Sequence, residues 1–293
     1  MARKWLIGCG IGCVALIVVG VAVTLSFVIW LRGTFEGVTE AIASHEEIVS
    51  TFGEIEEFAP APGGAIPPDR LERFLAVRES LVEAQAGLDT LFADFPPDEF
   101  LDEKDSVLKK ILAAIGMVAS LINPIGEYVD QRNQALLEQE MGLGEYVYIY
   151  SIAYHSWLGR SPDDGPVITK ETGPGRGNER GRRIMDDEEA TYGPQQVRRR
   201  YRRYLLAILR NQLDSLPAAS ASEETDEWRQ ELVSEINRFE SHPMRVLWQD
   251  GLPDTIEASL APYRRALEER YHASTNCFEL PPAEGEDWGR WSN

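Results

Sequence analysis

The stretch from Trp5 to Leu31 contains no charged residue, and this constrains the chain more than any other feature. It is 27 residues long, or ~40 Å of helix at the α-helical rise. A hydrocarbon core is crossed by roughly 20 apolar residues, so the run is long enough to span with some tilt. Trp5 and Trp30 lie near its ends, where amphipathic rings favour the interface. Arg3 and Lys4 precede it, and Arg32 follows, soon joined by Glu36 and Glu40. The balance of basic residues predicts a cytoplasmic segment 1–4, a transmembrane helix 5–31 and an extracytoplasmic remainder, held by one signal-anchor in the cell membrane. Two rival readings fit less well. Ala41-Ile42-Ala43 looks like a signal-peptidase site but lies far beyond the apolar run. Leu6-Ile7-Gly8-Cys9 looks like a lipoprotein box but has no apolar run before it.

Within the run, Gly8 and Gly12 form a small-xxx-small pair, which lets two helix backbones approach closely in lipid. They are the candidate residues for helix dimerisation. Cys9 and Cys13 lie on a neighbouring face and are candidates for lipidation. The plainer account is that membrane helices tolerate Gly and Cys.

Beyond the run, apolar residues recur at spacings of three and four, and no alternating strand pattern appears. Phe35, Val38, Ile42, His45, Val49 and Phe52 form a heptad-like seam, which predicts a juxtamembrane stalk helix over 32–58. Phe58 to Pro68 carries four prolines and two glycines and must end it. A first helical part is expected over 69–158. Asp69 is the proposed N-cap of its first helix, and Leu71, Phe74, Leu75 and Leu81 begin the apolar stripe. Residues 159–196 are rich in Gly, Pro and charge and read as a flexible linker. A second helical part follows over 197–280, with Ser222 opening one helix and Pro217 ending the one before it. Residues 281–293 are an acidic tail bearing two tryptophans. The expected fold is all-α: one N-terminal transmembrane helix, then an acidic bundle of about seven helices.

The formal net charge is −19, too acidic for a chain whose main work is gripping phosphate backbones. The basic residues that exist are concentrated. Residues 159–210 hold 12 basic against 8 acidic side chains, and Arg198-Arg-Arg-Tyr-Arg-Arg203 is the densest stretch. Arg198, Arg199, Arg202 and Arg203 are therefore candidates for contact with an anion or a lipid headgroup. The simpler expectation is that they pair with acidic helices of this chain or of a partner.

Glu145, Tyr148, Tyr150 and His155 fall within the most aromatic stretch of the chain and make up the candidate ligand site. A buried carboxylate near an imidazole has the components for acid–base work. Tyrosines at helical spacing are nevertheless mostly core. No nucleophile elbow and no His-Glu-x-x-His is present, and the four histidines are widely scattered, so neither a catalytic set nor a metal or cofactor site is expected. Cys277 is the only cysteine outside the apolar run, which excludes an intrachain disulfide there and predicts a buried thiol.

The sequence thus favours a non-enzymatic interaction or scaffolding module. Its expected partners are the bilayer through 5–31 and a second copy or another membrane or extracytoplasmic protein, with nucleic acid disfavoured. The alternative is a membrane-tethered enzyme or small-ligand binder at Glu145, Tyr148, Tyr150 and His155.

Overall fold

The computed structural model describes residues 37–93, 107–165, 194–217 and 222–281. Among the described residues no helix is long and apolar enough to cross a membrane. The run 5–31, with Gly8, Gly12, Cys9 and Cys13, lies outside them.

The described residues are helical and contain no strand. Helix α1 covers residues 37–52, and a 3-10 turn follows at Ile55–Glu57. Then come α2 (Pro68–Ser80), α3 (Val82–Ala93), α4 (Val107–Glu138) and α5 (Leu143–Tyr150), which runs on into a π-helical turn at Ser151–Trp157. The second half holds α6 (Pro194–Ser215), α7 (Glu223–Ser241), α8 (Asp254–Leu260) and α9 (Arg264–Glu269), closed by a 3-10 turn at Ala273–Phe278.

Helix α5 and its π-helical continuation form the axle. Every residue from Tyr146 to His155 is buried. A helix that is apolar all round must be covered on all sides. Helices α2 and α6 and the 3-10 turn at Ile55–Glu57 pack against it. Gly144 allows the closest approach, since a β-carbon there would meet the Ile55 carbonyl at 2.7 Å. Each of the nine helices among the described residues contributes buried side chains to one core, from Ile48 in α1 to Leu267 in α9.

The buried face of α1 lies one position before the expected seam. Gly37, Ala41, Ser44 and Ile48 are buried, Val38, His45 and Val49 are half-buried, and Ile42 (40%) and Phe52 (38%) remain exposed. Small residues explain the rotation. A β-carbon on Gly126 of α4 would lie 2.6 Å from the Gly37 carbonyl carbon, so the two backbones touch there. Asn123 accepts from the Gly37 amide at 2.9 Å, and Asn133 donates to Ser44 Oγ at 3.2 Å. The helix is thus docked on α4 through its smallest side chains.

Helix starts differ from the sequence expectation in detail. Pro67 caps α2 and Pro68 occupies its first turn, so Asp69 sits inside the helix. The fixed φ of proline suits a first turn, and an acidic side chain there complements the dipole. Ser222 caps α7 as expected, accepting from the Thr225 amide at 3.2 Å. Pro124 is accommodated within α4. Of the expected linker 159–196, residues 160–165 lie against the domain, 166–193 fall outside the described residues, and 194–196 are not linker but part of α6.

Candidate functional site

The four residues of the candidate ligand site take separate places along α5 and the π-helical turn. Glu145 is half-buried and clasped by Arg70, whose Nε donates to its Oε1 at 2.6 Å. Tyr148 is buried, with its ring 6.0 Å from that of Phe58. Tyr150 donates to Asn276 Oδ1 at 3.0 Å. His155 is buried between the rings of Tyr150 and Tyr201, at 5.5 and 5.4 Å, both edge-on. The structure therefore brings Tyr150 and His155 together, whereas Glu145 and Tyr148 engage Arg70 and Phe58.

His155 is electrostatically quiet. Its Nδ1 lies 3.0 Å from the Arg160 carbonyl, which assigns the proton to that nitrogen as donor. Burial pushes its pKa down to about 4, and the Arg160 carbonyl only partly offsets this. It is a neutral imidazole at pH 7. Tyr148 has its hydroxyl pushed up by burial alone.

A second cluster, absent from the sequence-based candidates, is chemically denser. Arg78 of α2 and Glu279 form a fully buried ion pair. The Glu279 carboxylate also accepts from Tyr128 at 2.6 Å and from Tyr146 at 2.8 Å. Arg78 donates further to Tyr146 Oη at 3.0 Å and to the Arg270 carbonyl at 3.0 Å, and its guanidinium sits over the Tyr150 and Tyr154 rings. Burial is the largest influence and opposes the Arg78 charge, but Glu279 together with Tyr146, Tyr128 and Tyr154 outweighs it and holds the guanidinium charged more firmly than usual. Burial likewise pushes the Tyr128 and Tyr146 hydroxyls up, so both stay protonated and act as donors.

Arg132 of α4 is buried beside this pair. It donates to the Phe278 carbonyl at 2.7 Å and to the Glu279 carbonyl at 3.2 Å. Asn276 donates to the carbonyls of Pro162 at 2.9 Å and Asp164 at 3.0 Å. Cys277, between them, is buried at 3% exposure, and burial pushes its thiol up to about 12. Desolvated thiols of this kind are inert. One clue to the cluster was present in the sequence. Arg78 stands on the stripe that runs through Leu71, Phe74 and Leu81, where an apolar side chain is the norm.

The basic stretch of α6 is paired within the chain. Arg198 donates to Asp163 at 2.8 and 2.5 Å and to the Met244 carbonyl at 2.9 Å. Arg202 donates to the Glu240 carbonyl and lies over the Phe239 ring. Arg203 pairs with Glu56 at 3.1 Å. Arg199 is exposed. Among the described residues no group of three or more His, Cys, Asp or Glu side chains is arranged to hold a metal ion.

Fold and site together define a helical domain with an ionic centre buried in its core. No protein-family model, no curated protein and no solved structure matches the chain.

Proposed function

We propose that this chain is a single-pass membrane protein whose helical domain is an extracytoplasmic, non-enzymatic interaction module. The observation that carries the reading is the charge-free run 5–31. The predominance of Arg3 and Lys4 on one flank over Arg32 on the other supports the orientation. The engagement of Glu145, Tyr150 and His155 in contacts within the fold counts against a small-ligand or catalytic site at these residues.

The test is topological. In a Cys9→Ser, Cys13→Ser background, Met244→Cys places a reactive thiol at a side chain that is 66% exposed. A membrane-impermeant maleimide applied to intact cells is expected to label this cysteine before lysis. Buried Cys277 serves as the internal reference, reacting only after denaturation. Labelling of Met244→Cys solely after lysis overturns the orientation. Recovery of the chain in the soluble fraction overturns the anchor.

A further inference from the structure

The segment that carries Glu279 is held the way a receptor holds a peptide. Residues 273–281 contribute a single 3-10 turn and no longer helix. What fixes them is side-chain recognition at two points and capture of backbone carbonyls between and beyond. Asn276 is read through its amide by Tyr150 and by the carbonyls of residues 162 and 164. Glu279 is read by Arg78, Tyr128 and Tyr146. Arg132 takes the carbonyls of Phe278 and Glu279, and Tyr204 donates to that of Pro281 at 3.0 Å. Phe278 and Leu280 fill apolar positions, with the Phe278 ring stacked on Phe92.

The polarity of this arrangement is one-sided. Toward the Glu279 carboxylate and the carbonyls of Phe278, Glu279 and Pro281, the surrounding helices present donors. With the segment removed, Arg78 would keep Tyr146 Oη and the Arg270 carbonyl and Arg132 would keep Asn133 Oδ1, but both guanidiniums would lose their bonds to the segment, and the hydroxyls of Tyr128, Tyr146 and Tyr150 would lose the acceptors named above. Such a recess suits a carboxylate-bearing peptide and is costly to leave empty. A core segment needs only to be apolar, and a buried ion pair is weak support for stability compared with packed aliphatic side chains. Selective recognition of one sequence accounts for the charges.

We propose that residues 273–281 are a tethered peptide ligand, and that the recess formed by Arg78, Tyr128, Arg132, Tyr146 and Tyr150 is a peptide-binding groove that accepts the same segment from a second copy of the chain. Only residues 270–272 join α9 to the segment, a short hinge of the kind that permits exchange of identical elements between protomers. The assignment does not depend on which side of a membrane the domain faces.

Cys277 reports the opening. In full-length detergent-solubilised Cys9→Ser, Cys13→Ser protein it is the only thiol, and it is buried while the segment is docked. Maleimide labelling is measured against urea, with tryptophan fluorescence following global unfolding. Glu279→Gln is expected to label at least about a hundredfold faster without denaturant, by the usual cost of breaking a buried pair. Its dependence on urea is expected to be much shallower than that of global unfolding. A fluorescent peptide of residues 271–281, with serine replacing Cys277, is then expected to bind Glu279→Gln protein. The same peptide carrying Glu279→Gln is expected to bind at least about tenfold more weakly. Should Glu279→Gln fail to fold, Asn276→Ser loosens the other recognition point and leaves the ion pair intact. Labelling that tracks global unfolding in the folded variant, or peptide binding indifferent to its glutamate, overturns the proposal.

Discussion

The described residues hold two arginine clusters, and they behave in opposite ways. Arg198, Arg202 and Arg203 lie close together in sequence and pair at the rim of the domain, whereas Arg200 among them is buried. Arg78 and Arg132 are 54 positions apart in sequence, yet both are buried around one carboxylate segment. Density of charge along a sequence marks a solvated face, where an ion pair contributes about 0–1 kcal/mol. A lone charge on an apolar stripe marks a centre, where the whole arrangement depends on each member. The first cluster is conspicuous, and its ion pairs with Asp163 and Glu56 are partly exposed. The second is inconspicuous and holds the ends of the domain together, since Arg78 and Glu279 lie in the second described helix and the closing segment.

The largest effect expected from this contrast is at Glu279. Glu279→Ala leaves Arg78 charged and buried with no counter-ion, and strands the Tyr128 and Tyr146 donors. A loss of about 3–5 kcal/mol is expected, read from urea unfolding of the solubilised chain. The double variant Arg78→Met, Glu279→Leu is expected to lose less than Glu279→Ala alone, because the unpaired charge is removed. A loss under 1 kcal/mol for Glu279→Ala would erase the distinction between the clusters.

How much of this was legible follows from the same physics. Helix α5 was readable because its residues are apolar or aromatic nearly all round, which leaves one place for it. The π-helical turn that continues it has no such mark. The seam of α1 was misplaced by one residue because periodicity weighs the largest apolar side chains. The close contact with α4 is made instead by Gly37, Ala41 and Ser44, whose virtue is small size. Tyr150 was singled out and does lie beside the ionic centre, but Glu279 was not. Its partner is 201 positions away, and nothing local distinguishes a glutamate between Phe278 and Leu280 from one at the surface. Long-range electrostatic pairing is a property of the fold, and the one local clue was the arginine on an apolar stripe.

His155 extends the buried side of the comparison. Its neutral ring is enclosed by Tyr150 and Tyr201, bonded to the Arg160 carbonyl, with Asp164, Arg198 and Glu279 as the charges that act on it. A folded pKa of about 4 against an ordinary 6.5 means that the unfolded chain binds the extra proton between these values. Stability therefore rises with pH across that window and falls on acidification. His155 alone contributes a loss of roughly 3 kcal/mol between pH 7 and pH 4. His45, lowered by burial and by Arg132, adds in the same direction. Comparing unfolding of the wild type and His155→Gln from pH 7 to 4.5 isolates the His155 part. Identical slopes would mean that the ring is hydrated and protonated in place.

At the rim, Arg198 should matter most. Its guanidinium makes two bonds to Asp163 and one to the Met244 carbonyl, so Arg198→Ala removes three at once. All are partly hydrated, and about 1 kcal/mol is expected, diminished at high salt. A loss near that of Glu279→Ala would show that α6 is held to the 161–165 loop by this one side chain.

The smallest effect belongs to Arg203, whose pair with Glu56 is 47% and 31% exposed. The contact between α6 and the 3-10 turn at Ile55–Glu57 does not rest on that pair, because Asn211 donates to the Glu56 carbonyl from the same helix. Arg203→Ala should change stability by less than about 0.5 kcal/mol, and 0.5 M NaCl should abolish the difference. A larger, salt-insensitive loss would place the pair in a desolvated contact and join the rim cluster to the buried one. If the stability is unchanged while binding to anionic vesicles falls, the side chain acts at a lipid surface, and the conspicuous cluster then has a role outside the fold.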